Sequence, residues 1–440
     1  MTTPTQRLLS DIQALAPEIT SRIPEIEAGR RIPIDLVEAL RSTGMFRLFV
    51  PRSYGGFELE FPEALRIITA LSRIDGSVGW TVGIASGSSI FASMLQPEVY
   101  RQVYGNGPDA IMAGSATPSG TAEATAGGWR VSGRWPFASG CQHANWIAGF
   151  AVMTQAGKPL PGPAGEGGPP LVRGFALPAS DWQIEDTWHV AGLKGTGSDH
   201  VSLRDKLVPA ANFFDVATGV SHLPGPLYQT VTEYLPLIHG AMTTGMAEGA
   251  LNDLIELANT SRQQLRAPAP LRDSELFQAE LGRISADLRA AQAFLDAQVA
   301  GHWRHALAGT LKDDALLAQG IQAAIWIAAT CIRVADACFT LAGSVAVYET
   351  SPLQRRMRDL HVAAQHAAAQ PRNYVNAGKL LLGDTTAKSQ VVAMKAEPRR
   401  VERNAALLIS SLEKVQLSSL KEDTTSNVCD LAMSDKSTDI

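Results

Sequence analysis

The spacing of hydrophobic residues divides the chain into a helical region, a strand-rich region and a second helical region. In residues 5–112, apolar residues recur three and four positions apart, which predicts amphipathic helices in LLSDIQALAPEI, IPIDLVEALRSTGMF and FPEALRIITALSRI. Pro33 and Gly44 bound the segment IDLVEALRST, so we expect that helix to begin and end there. We therefore predict an N-terminal helical domain over residues 1–112.

Short apolar runs separated by Gly, Pro, Ser and Thr characterise residues 113–225. The runs WRVSG, WIAGFAVM, RGFAL and HVSLRDKLV predict strands, and GKPLPGPAGEGGPP predicts a loop between two of them. This region is predicted to be a middle β domain.

Alanine-rich helical patterns return in residues 226–383. They predict four helices with short connections, which is typical of an antiparallel bundle: 233–260, 274–307, 313–342 and 352–382. The most apolar stretch, 321–347, is interrupted by Arg333 and Asp336, so we predict a core helix rather than a membrane span. Residues 384–440 are polar and are predicted to be a partly disordered tail with no catalytic role.

Composition limits the classes of partner. Only 18% of the 440 residues are charged, which suits a protein that hides surface in an oligomer, although a large core would explain it equally well. The net charge of −5 gives no electrostatic case for binding nucleic acid or an anionic membrane. Four cysteines without CxxC spacing, and an N-terminus without a secretory signal, predict a cytoplasmic protein.

The segment VSGRWPFASGCQHANW, residues 131–146, is the strongest candidate for chemistry. It predicts a strand entering a tight turn at Ser139 and Gly140, with Trp135 and Phe137 before the turn. Aromatic rings beside a hydroxyl and a glycine suit a flat, mostly apolar ligand with a polar edge, such as an isoalloxazine ring. Taken alone, Ser139 could simply close the turn.

Other catalytic signatures are missing from the sequence. It contains no P-loop, zinc spacing or nucleophile elbow. His302 and His305 share a helical face without a suitably spaced third ligand, and His361 and His366 lie five residues apart, so we predict no metal site.

The succession of helical, β and helical regions, together with two local motifs, resembles the acyl-CoA dehydrogenase fold over residues 10–383. The resemblance implies an α+β protein whose middle domain is a β-barrel or sandwich and whose C-terminal domain is a four-helix bundle. VSGRWPFASGCQHANW looks like the family's flavin-side strand, which implies that Phe137 and Ser139 meet the isoalloxazine, with Trp135 and Gly140 beside them. GLKGTGSDHVSLRD is similar to the second β-domain motif, which implies flavin contacts from Thr196, Gly197 and Ser198.

The same resemblance implies roles for two arginines. Arg262, followed by SELFQAELGRISADLRAA, resembles the region that reaches a neighbouring subunit's flavin, which implies a homotetramer with flavin sites at subunit boundaries. Arg358 is implied to bind the flavin phosphates, or else to pair with acidic residues.

The sequence departs from true acyl-CoA dehydrogenases where their carboxylate base should lie. In PLQRRMRDLHVAAQHAAAQ the position of one known base falls on Ala367, preceded by His366. A second known location, near Glu233 or Glu248, stays open. RDLHVAAQH, together with GWT, FASG and GTGSD, resembles the two-component flavin monooxygenases of this fold.

This resemblance implies the oxygenase component of a two-component system. Such a protein takes FMNH2 or FADH2 from a separate NAD(P)H:flavin reductase, and with O2 forms a C4a-hydroperoxyflavin that hydroxylates a small aromatic or indole-like substrate. It implies that Ser139 accepts a hydrogen bond from the flavin N5–H and that His366 serves as base or proton relay. Trp80 and Ser88, in the small-residue stretch WTVGIASGSSIFA, would line the substrate pocket with His366, although small residues equally suit close helix packing.

Two other functions stay open. One is an acyl-CoA dehydrogenase or oxidase with FAD and a displaced base, and the other is a non-catalytic protein of the same fold. Ala367 and His366 favour the oxygenase over the dehydrogenase. The presence of Ser139, His366 and GTGSD disfavours the non-catalytic protein.

Overall fold

Helices α1–α6 form the N-terminal part of the chain. The computed structural model describes residues 2–165, 167–216, 220–260, 263–264 and 267–383. The first six helices are α1 Pro4–Ser21, α2 Ile23–Gly29, α3 Ile34–Thr43, α4 Phe61–Ile74, α5 Gly76–Ala92 and α6 Pro97–Tyr104. The predicted ends of α3 are confirmed, since Pro33 precedes it and Gly44 ends it in a left-handed conformation with φ of +92°.

Helix α5 is buried along most of its length between α4 and α7, which spans Leu235–Asn259. Its first turn is capped by Asp75, whose carboxylate accepts a hydrogen bond from the Val78 N–H at 3.0 Å. A Cβ on Gly79 would lie 2.1 Å from Ser72 Oγ, and one on Gly83 would lie 2.7 Å from Met242 Sδ. These glycines therefore serve close helix packing, as one of the two sequence interpretations expected.

Strands β1–β9 form one mixed sheet among the described residues. The strands are β1 Met112–Gly114, β2 Gly120–Thr125, β3 Gly128–Trp135, β4 Trp146–Gln155, β5 Lys158–Pro159, β6 Val172–Pro178, β7 Gln183–Glu185, β8 His200–Val208 and β9 Phe213–Phe214. The main path runs β7-β8-β3-β2-β4-β6-β9, and β1 and β5 pair with β4. Because β3 and β8 are antiparallel, with Trp135 opposite Val201, the loop leaving β3 lies beside the loop entering β8.

The C-terminal helices are α7 Leu235–Asn259, α8 Glu275–Leu307, α9 Asp314–Ala342, α10 Pro352–Ala363 and α11 Tyr374–Leu381. The first three match the predicted helices, but the predicted helix over 352–382 is wrong. Helix α10 ends at Ala363, and His366 is extended with φ of −60° and ψ of 145°. Pro371 disfavours the helical conformation for Gln370, and two short 3-10 turns lead into α11.

Helix α9 contains most of the apolar stretch, 321–347, for which the sequence predicts a core helix. Together with the turn after it, over Asp314–Val347, it is the one described segment long and apolar enough to cross a membrane. Within its most apolar window, 67% is buried inside the protein, as expected of the core helix that the sequence predicts. The predicted tail, 384–440, lies outside the described residues.

Candidate active site

The loops beside β3 and β8 are joined by backbone hydrogen bonds. The Ala138 N–H donates to the Asp199 carbonyl at 3.1 Å, and the Gly140 N–H donates to the Thr196 carbonyl at 2.8 Å. The buried Asp199 carboxylate fixes the second loop, because it accepts hydrogen bonds from the Trp188 N–H at 2.9 Å and from Gln142 Nε2 at 2.6 Å. The two predicted motifs, FASG and GTGSD, therefore form one structural unit.

Phe137 projects from this unit toward solvent. Its side chain is 64% exposed, and its backbone has a φ of +63°, a conformation that is unusual for a bulky residue. Such backbone strain costs on the order of 1–3 kcal/mol and is characteristic of binding sites. The ring makes edge contacts with Trp188 and His200, with centroid separations of 6.2 and 6.3 Å. The structure thus presents an aromatic surface where the sequence expects a flat ligand.

A row of three hydroxyl groups lies behind Phe137. Ser139 Oγ is 2.7 Å from Ser198 Oγ, which is 2.7 Å from Thr196 Oγ1. Thr196 Oγ1 in turn is 2.8 Å from the Leu193 carbonyl oxygen. Thr196 and Ser198 are buried, whereas Ser139 is half-buried, so the row ends at the protein surface beside Phe137.

Trp80 connects the hydroxyl row to His366. Its Nε1 donates a hydrogen bond to Ser139 Oγ at 3.2 Å. Its ring makes edge contacts with His366 and His239, with centroids 5.6 and 5.7 Å away. The two histidine rings stack on each other with centroids 5.4 Å apart. The structure therefore brings together Ser139, Trp80 and His366, which the sequence had placed in one site.

The His366 side chain is accessible to solvent, although many protein atoms lie around its ring. These surroundings, and the neighbouring His239, lower the pKa of His366 to about 3, so the ring is neutral at pH 7. The Ala368 N–H donates to His366 Nδ1 at 3.3 Å. In the neutral ring the proton is therefore on Nε2, which can donate a hydrogen bond.

His239 is a site residue that the sequence analysis missed. It lies on α7, is 1% exposed, and its Nε2 donates to the Ala363 carbonyl at 3.0 Å. Burial lowers the pKa of His239, so its Nδ1 carries no proton, and this buried atom has no hydrogen-bond partner in the part of the chain that the structure describes. A histidine within the apolar run LPLIHG is usually a core residue, so no local signal could have identified it.

A buried ion cluster holds the site's elements together, and the sequence analysis did not identify its carboxylates. Arg355 on α10 lies 2.5 Å from Asp75 Oδ2, the cap of α5, and 3.8 Å from Asp359 Oδ2. Asp359 Oδ1 accepts a hydrogen bond from the Leu193 N–H at 2.6 Å. Burial raises the pKa of Asp359 to about 6, with Arg355 opposing the shift. The RD motif thus anchors α10 to the loop that carries the hydroxyl row.

Three predicted flavin contacts need separate comment. Trp135 is fully buried in the sheet core and donates its Nε1–H to the Phe150 carbonyl at 2.7 Å, so the prediction of a flavin contact is wrong. The Arg358 guanidinium binds Gln354 Oε1 at 2.7 Å, Glu27 Oε2 at 3.1 Å and the Ala191 carbonyl, as in the ion-pair interpretation; its contact with flavin stays a prediction. Arg262 lies outside the described residues.

The two carboxylates considered as displaced bases are both engaged elsewhere. Glu233 is buried, and its carboxylate accepts hydrogen bonds from the hydroxyls of Thr230 and Thr232. Glu248 forms an ion pair with Arg73 at 3.1 Å. Position 367 itself carries an exposed alanine. A proton acceptor of the dehydrogenase type is therefore not evident at either known location.

The residues around Gly140 fit the polar edge of a flavin. Gly140 has a φ of +75°, and a Cβ there would lie 3.2 Å from Thr81 Cγ2. The buried Thr81 Oγ1 has no hydrogen-bond partner among the described residues. An unpaired hydroxyl, the half-buried Ser139 and the exposed Phe137 together suit a ring with one apolar face and a polar edge. Within the described residues, no three His, Cys, Asp or Glu side chains converge to hold a metal ion.

Comparison with known proteins identifies the family. Residues 5–96 match the model of the acyl-CoA dehydrogenase N-terminal domain, and residues 237–371 match that of the acyl-CoA dehydrogenase C-terminal domain. These matches confirm the predicted α+β fold with its helical, β and helical regions.

Three proteins that resemble this chain are described as monooxygenases or hydroxylases, or have a structure with bound reduced flavin. The indole-3-acetate monooxygenase of Pseudomonas putida is 31% identical over 82% of this chain and 90% of the relative. The oxygenase component of the FADH2-dependent resorcinol hydroxylase of Rhizobium sp. is 31% identical over 83% of this chain and 91% of its own length. The structure of XiaF from Streptomyces sp., in complex with FADH2 and glycerol, superimposes with a TM-score of 0.79 at 26% identity, covering 86% and 96% of the two chains. The chain therefore belongs to the flavin-dependent monooxygenases of the acyl-CoA dehydrogenase fold.

Proposed function

We propose that this chain is the oxygenase component of a two-component monooxygenase that hydroxylates a small aromatic or indole-like substrate. In this proposal a separate NAD(P)H:flavin reductase supplies FMNH2 or FADH2. Bound reduced flavin would supply the oxygen chemistry, by reacting with O2 to give the C4a-hydroperoxyflavin that the family resemblance implies. Phe137, Ser139, Gly140 and the Thr196–Ser198 loop are the residues proposed to hold it.

The observation that carries the proposal is the double contact of Trp80. Its N–H binds Ser139 at 3.2 Å while its ring contacts the His366 ring at 5.6 Å. A flavin edge at Ser139 and a substrate beside His366 would therefore lie on adjoining sides of one indole. This arrangement favours a reaction in which the flavin position that carries the oxygen lies close to the bound substrate.

His366 is proposed as a hydrogen-bond donor or proton relay rather than a base. Its Nδ1 accepts the Ala368 N–H, so the neutral ring offers Nε2–H to a bound substrate. A neutral donor can orient a substrate hydroxyl or an oxygen atom without adding a full charge to the site. The base role that the sequence left open would need a proton-free Nε2, which this hydrogen bond disfavours.

The proposed substrate class follows from the lining of α5 and from the relatives. Within the buried run from Gly76 to Ile90, Ile84 and Ser88 are partly exposed, and they follow Trp80 at four-residue intervals on one face. A face made of an indole, an aliphatic chain and a hydroxyl suits a planar ring with a polar substituent. Relatives are named for indole-3-acetate and for resorcinol, which are molecules of this kind.

We also propose that the chain assembles as a homotetramer and is located in the cytoplasm. Exposed apolar side chains, including Leu276, Leu307, Tyr348 and Leu382, suit burial in a homotetramer. Cys141, Cys331 and Cys338 are buried free thiols, which suits the reducing cytoplasm. The flavin reductase is proposed to deliver its product by diffusion.

The purified chain tests the choice between oxygenase and dehydrogenase. We expect it to consume O2 and hydroxylate at least one member of a panel of indoles and phenols when a generic reductase supplies reduced flavin. Added acyl-CoA esters should leave bound oxidised flavin unbleached. Bleaching by an acyl-CoA, with no hydroxylation of any aromatic compound, would establish the dehydrogenase instead.

A further inference from the structure

The hydroxyl row at the proposed flavin site has two ends with opposite chemistry. At one end, Thr196 Oγ1 lies 2.8 Å from the Leu193 carbonyl oxygen, which can only accept a hydrogen bond. At the other end, Trp80 Nε1 lies 3.2 Å from Ser139 Oγ, and an indole N–H can only donate. Between them the contacts from Thr196 to Ser198 and from Ser198 to Ser139 are both 2.7 Å.

These end groups determine the direction of every hydrogen bond in the row. Thr196 has one proton, which it donates to the Leu193 carbonyl, so it must accept from Ser198. Ser198 has then used its proton, so it must accept from Ser139. Ser139 consequently donates to Ser198 and accepts from Trp80. The reverse order would leave Thr196 Oγ1 and the carbonyl oxygen 2.8 Å apart without a proton between them.

This direction of the hydrogen bonds leaves Ser139 able to form only one further hydrogen bond. A hydroxyl has one proton and two lone pairs; the proton and one lone pair are used, so Ser139 can accept one more hydrogen bond and can donate none. On the basis of the proposed flavin site, we propose that the direction of these hydrogen bonds makes Ser139 select reduced over oxidised flavin. Reduced flavin carries an N5–H that Ser139 can accept, whereas oxidised flavin presents an N5 lone pair that would face the serine oxygen without a proton.

The buried ion cluster keeps both ends of the row in place. Asp359 accepts a hydrogen bond from the Leu193 N–H at 2.6 Å. This bond holds Leu193 in place, and the carbonyl of the same residue accepts the hydrogen bond from Thr196. Arg355 joins Asp359 to Asp75, which caps the helix that carries Trp80. In the hydroxyl row Thr196 is a positioning residue, because its hydroxyl acts on the flavin N5 through Ser198 and Ser139, whatever contacts the rest of the loop makes.

Two substitutions should release the proton of Ser139. In Thr196→Val, Ser198 loses its acceptor and can donate to Ser139, which frees the Ser139 proton for an oxidised ring. In Ser198→Ala, Ser139 loses its acceptor directly. Thr244→Val is the matched control, because Thr244 is a buried threonine whose hydroxyl donates only to helix carbonyls, that of Gly240 at 2.9 Å among them.

The measurement is the dissociation constant for oxidised and for anaerobically reduced flavin, together with the midpoint potential of bound flavin. We expect the unmodified protein and Thr244→Val to bind reduced flavin at least tenfold more tightly, and each row variant to lose about tenfold of that ratio. A tenfold loss lowers the potential of bound flavin by about 30 mV.

Two results would overturn the inference, and they are distinguishable. If Thr196→Val and Ser198→Ala bind flavin with the ratio and potential of the unmodified protein, the polarity of the row does not select the redox state, and the proposed function stands. If the unmodified protein binds neither redox state, the proposed function fails and this inference with it. If Thr196→Val does not fold, the affinity ratio and the midpoint potential of Ser198→Ala test the inference alone.

Discussion

The indole N–H of Trp80 and the hydroxyl of Ser139 form a hydrogen bond of 3.2 Å between the N-terminal helices and the β sheet. Trp80 is 5% exposed, so the bond is largely shielded from water. The same indole contacts the ring of His366 from the C-terminal region. One side chain therefore sets the relative positions of residues from three regions of the chain.

Ser139→Ala should uncouple flavin oxidation from hydroxylation. The variant removes the acceptor proposed for the flavin N5–H and leaves the buried Trp80 N–H without a partner. Losing a hydrogen bond worth about 1.4 kcal/mol corresponds to roughly a tenfold effect, so the ratio of H2O2 to hydroxylated product should rise by about that factor. Ser86→Ala, a buried serine that donates only to the Val82 carbonyl, is the control. Equal coupling in both variants would remove Ser139 from the reaction.

His366→Ala should lower the rate of hydroxylation by roughly a hundredfold or more while the affinity for reduced flavin is unchanged. His366→Gln should retain more activity than the alanine variant, because its amide can donate from a position near that of Nε2. His361→Ala is the control, since His361 is exposed on α10 and pairs with Asp336 at 2.8 Å. Rapid-quench turnover at saturating flavin measures the rate of hydroxylation, and an anaerobic titration measures the affinity for reduced flavin. An alanine variant as fast as the control would disprove the role.

Gly140→Ala should destabilise the protein more than Gly157→Ala does. The two glycines have nearly the same φ, +75° and +72°, so both variants incur a left-handed penalty of roughly 1–2 kcal/mol. At Gly140 the new Cβ would lie 3.2 Å from Thr81 Cγ2, whereas at Gly157 it would have no described atom within 4 Å. Urea unfolding should show the difference, and Gly140→Ala alone should weaken flavin binding. Indistinguishable variants would mean that Gly140 is merely a turn residue.

The free energy of unfolding should fall as the pH decreases below about 6.5, in part because of His239. Burial lowers its pKa in the folded protein, so between pH 6.5 and the lowered value the unfolded chain binds a proton that the folded chain does not. His239→Gln should flatten this slope by at most about 1.4 kcal/mol per pH unit. The control is His189→Gln, whose side chain is 64% exposed. Parallel stability curves for the two variants between pH 5 and 7 would contradict the prediction.

The sequence predicts the elements well where local patterns determine them. Pro33 and Gly44 bound α3 as expected, and three bundle helices lie where the apolar spacing places them. The break after Ala363 was missed because AAQHAAAQ has high helix propensity and only Pro371 argues against continuation.

The site was predictable only in part. The assignment of Trp135 failed because this residue ends β3 and points into the sheet core, whereas Phe137 follows the strand with a positive φ and points outward. Arg355 and Asp75 are separated by 280 positions in sequence, and no local pattern pairs side chains over such a separation. His239 becomes recognisable only when α7 brings it beside Trp80 and His366.

The most direct measurement is a single turnover of the reduced flavin complex with 18O2 and an aromatic substrate, followed by mass spectrometry of the product. The oxygenase function predicts one 18O atom in each hydroxylated molecule, with slower formation in His366→Ala. Flavin oxidation that yields only H2O2 with every indole and phenol tested, or a product whose oxygen comes from water, would contradict it.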